Sequence, residues 1–133
     1  MVVSTRGITD YEKMLADDVR MSAYHRAIAA VCPGKIVCEI GVGLGPLSLM
    51  ALNAGAKVVY GIDAVGAPLE AATEVIRAAG YGPDRFVPLR GMSTAITLPQ
   101  RADVILSETL DHLGVGENTA ATMRDAMSPF VER

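Results

Sequence analysis

The stretch Val37-Cys38-Glu39-Ile40-Gly41-Val42-Gly43-Leu44-Gly45-Pro46 constrains this chain more than any other. A short apolar run that stops on glycines at alternate positions reads as a buried strand, then a sharp loop whose backbone a ligand can approach, then a helix. Pro46 suits the first turn of that helix, where its missing N–H is no loss. The same region belongs to the longest uncharged run, Ile40 to Ala56. That run is shorter than the ~18 to 20 residues of a membrane span, and Gly41, Gly43, Gly45, Pro46 and Asn53 within it favour strand, loop and helix.

The rest of the chain repeats that alternation. Residues 8–31 read as helix in one or two pieces, capped by Thr9 or Asp10 and by Asp17 or Asp18. Met14, Leu15, Val19, Tyr24 and Ile28 form its apolar stripe, and Cys32, Pro33 and Gly34 stop it. Lys35 to Ile40 is the first strand, and Leu47 to Asn53 the helix after the glycine loop. Val58 to Ile62 is a second strand ending on Asp63. An amphipathic helix follows, with Leu69, Ala72, Ile76 and Ala79 on one face and Gly80 as its stop. Phe86 to Leu89 and Ala102 to Ser107 are the third and fourth strands, and a last helix spans about residues 118–127. Strands alternating with helices imply parallel pairing through crossovers, covered on both faces. The expected fold class is α/β, half of a doubly wound Rossmann-like parallel sheet, in one domain of residues 1–133 with a helical segment at 1–31.

Composition narrows the function classes. Half of the 133 residues are apolar, which excludes disorder. With 12 Lys and Arg against 15 Asp and Glu the net charge is −3, and the basic residues are scattered. Neither a nucleic-acid partner nor a membrane is expected. The N-terminus lacks an apolar stretch behind a basic start, so a cytoplasmic protein without a signal peptide is expected. Cys32 and Cys38 have no Cys or His at ligand spacing, so they read as two idle or buried thiols, with no disulfide and no metal.

Asp63 lies 22 residues after Gly41, at the tip of the next strand. In this architecture an acidic residue there holds ribose hydroxyls. The loop therefore fits either a dinucleotide or S-adenosylmethionine. Glu39, two residues before Gly41, would repel a pyrophosphate and attract the ammonium of a methionine moiety. The dinucleotide fingerprint also wants its third glycine three positions after the second, and here the gap from Gly43 to Gly45 is two. Both observations favour S-adenosylmethionine over a nicotinamide cofactor.

Tyr11-Glu12-Lys13-Met14-Leu15-Ala16-Asp17-Asp18-Val19-Arg20, the glycine loop, Gly61-Ile62-Asp63, Met92-Ser93-Thr94, and Ser107-Glu108 through Gly116-Glu117 follow in order along the chain. In that order and spacing the sequence resembles the protein arginine methyltransferases, class I S-adenosylmethionine-dependent enzymes. The resemblance runs from about Tyr11 to Met127 and is nearest the monomethylating branch, through Ser107-Glu108-Thr109-Leu110-Asp111 and Val115-Gly116-Glu117. It implies strand order 3-2-1-4, and because it covers only the family's N-terminal cofactor-binding half, no β-barrel is expected in this chain. It also implies that Glu108 and Glu117 are the catalytic pair, and that Gly41, Gly43, Gly45, Glu39 and Asp63 hold the cofactor. Arg20 would hold the cofactor's carboxylate, Met14 would wall the methyl pocket, and Ser93 and Thr94 would lie beside the adenine. Asp17 reads either as a substrate contact or as a helix cap.

The glutamate pair makes chemical sense in itself. A guanidinium is permanently charged and presents a planar fork of donors, which two carboxylates can clamp bidentately. His25, beside Arg26, reads as an exposed helix residue. His112 lies between the two glutamates, where the family usually has other residues.

The sequence departs from the family in three places. The tyrosine-rich helix before Tyr11 is absent, Asp63 stands where glutamate is common, and the sequence stops at Arg133. Complete members continue with further strands, a histidine-bearing loop, a β-barrel and a dimerisation arm. The expectation is therefore half of a split or oligomeric guanidino N-methyltransferase, acting on peptide or free arginine and completed by a partner subunit or a second copy. The alternative is a non-catalytic cofactor-binding or scaffolding subunit that regulates a full-length methyltransferase.

Overall fold

Ile36–Ile40 forms strand β1, and every residue after Ile36 in it is buried. A strand buried on both faces belongs in the middle of a parallel sheet. β1 pairs in parallel with β2 (Val58–Asp63) on one side and with β4 (Val104–Ser107) on the other, while β2 pairs with β3 (Phe86–Arg90). The strand order is β3-β2-β1-β4, as expected from the sequence. This is the computed structural model of the chain, and it describes residues 18–107. The expected caps at Thr9, Asp10 and Asp17 and the helix over residues 118–127 lie outside the described residues, as do Met14, Leu15, Glu108, His112 and Glu117.

Three helices connect and cover these strands: α1 (Asp18–Val31), α2 (Pro46–Asn53) and α3 (Gly66–Ala78). All three pack into one apolar cluster on one face of the sheet. Ile28 of α1, Leu47 and Leu52 of α2, and Leu69 and Ile76 of α3 meet Val37, Val59 and Phe86 of the strands. Crossovers of one hand that step in one direction across a sheet stay on one side of it. The other face carries Cys38, Ile40 and Ile62, covered among the described residues by the segment from Ile96 through Leu98 to Ala102. The expected helical cover on both faces is thus met on one face only in this part of the chain.

Two residues assigned to apolar faces by their spacing lie outside. Val19 is 81% exposed, and Ala79 is exposed just past the end of α3. Ala79 follows the last residue of its helix, where the apolar spacing continues but the helix does not. Gly61 in β2 has a packing reason. A Cβ there would come 2.8 Å from Val42 Cγ2 and 2.9 Å from the Phe86 ring, so glycine lets the loop and β3 close over the sheet. Among the described residues no helix is long and apolar enough to cross a membrane.

Candidate functional site

In a parallel sheet all strands end on the same edge, and ligands of open α/β sheets lie along it. The register aligns Ile40 with Ile62 and with Ser107, and Asp63 with Arg90. The loop 41–45, Asp63, and the segment after β3 therefore share that edge. Glu108 is the next residue after β4 in the chain.

The glycine loop has the conformation its composition suggests. Gly41, Gly43 and Gly45 have φ of 78°, 56° and 86°, the left-handed region that glycine enters without a steric penalty. Gly41 N donates to Ile62 O at 2.8 Å, which brings the loop over the end of β2. Pro46 then opens α2, and Leu49 N donates to Gly45 O at 3.0 Å as the helix begins.

Asp63 is half-buried at the tip of β2. Its Oδ2 accepts from Gly43 N at 2.8 Å and its Oδ1 from Val65 N at 2.9 Å. The carboxylate thus pins the loop while keeping lone pairs for hydroxyl donors, since an ionised carboxylate can accept about four hydrogen bonds. A flat backbone of glycines beside an acceptor fits a ribose-bearing cofactor such as the one expected from the sequence.

Glu39 is placed differently from the simple expectation. It lies near the loop, but on the helix-covered face of β1 that it shares with Val37, and it is 1% exposed. Ser48 Oγ of α2 donates to its Oε2. Its attraction for a cation therefore acts through the base of the loop, and Ser48 is a residue that sequence reading missed. The available signal was one hydroxyl in the otherwise apolar start of α2, Pro46-Leu47-Ser48-Leu49-Met50.

Ser93 and Thr94 form a single turn of 3-10 helix, Ser93–Ala95, after β3, with Ser93 half-buried and Thr94 exposed. Arg20 is half-buried on α1 and His25 is exposed there. Met14, Asp17, Glu108 and Glu117, which the sequence assigns to the methyl pocket and the guanidinium clamp, lie outside the described residues. Of the residues expected at the site, the structure joins the glycine loop to Asp63.

Cys32 and Cys38 are free and buried. Burial pushes the Cys32 thiol up, and burial followed by the charge of Glu39 pushes Cys38 up to about 12. Thiols held protonated in this way are poor nucleophiles. Among the described residues no group of three His, Cys, Asp or Glu could hold a metal ion. A depression of about 450 Å³ between α3 and β3, walled by Leu69, Glu70, Thr73, Glu74, Pro88 and Arg90, contains none of the candidate site residues.

No protein-family model matches the chain. Curated proteins do. The probable protein arginine N-methyltransferase 6 of Arabidopsis thaliana is 33% identical over 121 residues, which are 86% of this chain and 27% of that protein. Protein arginine N-methyltransferase 1 of Chlamydomonas reinhardtii is 39% identical over 106 residues, covering 77% of this chain and 30% of that one. Among solved structures, Arabidopsis thaliana protein arginine methyltransferase 10 superposes with a TM-score of 0.84 at 27% identity, over 95% of this chain and 36% of that one. The Trypanosoma brucei PRMT1 enzyme-prozyme heterotetrameric complex with AdoHcy gives 0.81 at 28% identity, over 92% and 39%. The chain spans about a quarter to a third of the length of these curated relatives.

Proposed function

We infer that this chain, whose relatives in sequence and in fold are protein arginine methyltransferases, binds S-adenosylmethionine and serves the transfer of its methyl group to a guanidino nitrogen of arginine. One observation carries the reading: the left-handed glycine loop fastened to Asp63 through Gly43 N, at the carboxyl edge of a 3-2-1-4 sheet. Gly41, Gly43 and Gly45 give the cofactor a close backbone surface. Asp63 accepts from its ribose hydroxyls, Ser93 and Thr94 border its adenine, Arg20 binds its carboxylate and Met14 walls the methyl. The cofactor supplies an electrophilic sulfonium methyl.

Glu108 and Glu117 clamp the guanidinium and draw its positive charge toward the nitrogens they hold. The remaining nitrogen is left richer in electrons and aimed in line, so that much of the rate comes from orientation. Asp17 assists in holding the substrate. The polypeptide is proposed to act in the cytoplasm, as one domain of a larger assembly whose further strands, from the same protein or from a second chain, continue the sheet beyond β4.

A second reading is a non-catalytic subunit that binds cofactor and regulates a full-length methyltransferase. It is supported by the likeness to a complex of enzyme and prozyme.

Calorimetry with S-adenosylhomocysteine and NAD, followed by labelled-methyl transfer to an arginine peptide and to free arginine, tests both readings. Binding of S-adenosylhomocysteine alone is expected, with transfer that Glu108→Gln lowers at least ~100-fold. Binding of NAD instead would refute the cofactor assignment, and undiminished transfer by Glu108→Gln would refute the clamp. Binding without transfer, combined with stimulation of an added full-length enzyme, establishes the second reading.

A further inference from the structure

The loop is held at two places. At its tip, Gly43 N is fastened to Asp63 and Gly41 N to Ile62 O. At its base, β1 and α2 are joined by the hydroxyl of Ser48 on the carboxylate of Glu39, two side chains nine residues apart with the whole loop between them. Both are fully buried, Ser48 at 0% and Glu39 at 1% exposure.

A carboxylate taken so far from water must be hydrogen-bonded, and removing one of its donors leaves the charge less well compensated. A serine inside a short helix is otherwise inferior to alanine, because its hydroxyl competes for backbone groups. Both facts point to a hydroxyl retained for what it holds.

We propose that Ser48 is a positioning residue for the cofactor site: by donating to Glu39 it fixes that carboxylate and closes the base of the glycine loop, so that the loop is shaped before the cofactor arrives. The proposal rests on the S-adenosylmethionine reading and deepens it. A cradle fixed in advance binds more tightly, because less ordering remains to be done on binding.

The test is calorimetry of S-adenosylhomocysteine with the full chain and with S48A, E39Q and the double variant, at a temperature where circular dichroism shows each folded. S48A is expected to weaken binding about tenfold, in line with the loss of one hydrogen bond to a charged group. The same change made on E39Q is expected to matter less than about twofold, because Ser48 acts through Glu39. Wild-type affinity in S48A overturns the proposal, as does an equal loss in the E39Q background. Should E39Q fail to fold, S48C decides. Its weak S–H donor places it between S48A and wild type, and a ranking unrelated to donor strength overturns the proposal. Absence of binding by the unaltered chain refutes the cofactor reading itself, an outcome separate from any difference among variants.

Discussion

Gly45 carries two demands at once. Its φ of +86° is left-handed, and a Cβ there would lie 2.9 Å from Ala72 Cβ, a rigid atom that cannot swing away. Gly45→Ala is therefore expected to destabilise the fold by about 2–5 kcal/mol, from left-handed backbone strain together with overpacking between α2 and α3. Urea denaturation checks it, and a loss below ~1 kcal/mol would mean that the helices part without resistance. Cys38 gives a pH-dependent prediction. Its thiol, raised from 9.0 to about 12 by burial first and by Glu39 second, keeps in the native state a proton that the unfolded chain releases. The associated stability is complete below pH 9 and declines as pH rises toward 12, by at most ~1.4 kcal/mol per unit for one proton. Cys32 adds a decline of the same sign. Cys38→Ala should accordingly lose less stability between pH 8 and pH 10.5 than the wild type, and parallel denaturation curves for the two would contradict the burial argument.

At the level of elements, β3 lies at one edge of the described sheet, and its outer side is guarded. β3 bonds to β2 through alternate residues, as Val59 N to Arg85 O and Gly91 N to Asp63 O show at the two ends of the ladder. The backbone groups of Phe86, Pro88 and Arg90 thus point away from β2. Phe86 N is taken by Gly82 O, Phe86 O accepts from Arg77, and Pro88 has no N–H. Arg77 also donates to Tyr81 O and Gly82 O, so one guanidinium from the last turn of α3 closes the approach to this edge. An edge blunted in this way resists pairing with another chain. Arg77→Ala is expected to lower stability by about 2–3 kcal/mol, and Pro88→Val to increase aggregation in light scattering with little change in the denaturation midpoint. Unchanged scattering by Pro88→Val would show that the edge needs no guard. None of this closure was legible in the sequence, because a helix-terminal arginine and a carbonyl nine residues on meet only after the chain has turned back. The strands themselves were legible: apolar runs such as Val37-Cys38 and Val58-Val59 are buried on both faces and sit between glycine-marked turns. Ala79 was misplaced because periodicity records which side of a helix is apolar and not where the helix stops.

For the molecule as a whole, the arrangement of site and core decides what cofactor binding should do to stability. The loop, Asp63 and the Glu39–Ser48 pair connect β1, β2 and α2, the elements at the centre of the larger core cluster. The glycine loop and the acidic end of β2 were readable from the sequence because glycines, an acidic strand end and their spacing are local signals. The fastening of Gly43 to Asp63 and the burial of Glu39 beneath α2 were not, since they depend on how strands and helix stack. A ligand that engages the loop and Asp63 binds only the folded chain, and so raises its stability by RT ln(1 + [L]/Kd). At 100 times Kd this is about 2.7 kcal/mol, and for a domain of this size it corresponds to a rise of roughly 10 °C in Tm. S-adenosylhomocysteine is expected to produce that shift and NAD none, because the spacing from Gly43 to Gly45 and the carboxylate of Glu39 beneath the loop both oppose a pyrophosphate. Asp63→Ala removes the acceptor of Gly43 N and Val65 N together with the proposed ribose contact. It should therefore lower the Tm of the free protein and also shrink the shift caused by S-adenosylhomocysteine, when each is measured by differential scanning fluorimetry. A full-sized shift in Asp63→Ala would separate the two roles and leave Asp63 as a fastening of the loop alone.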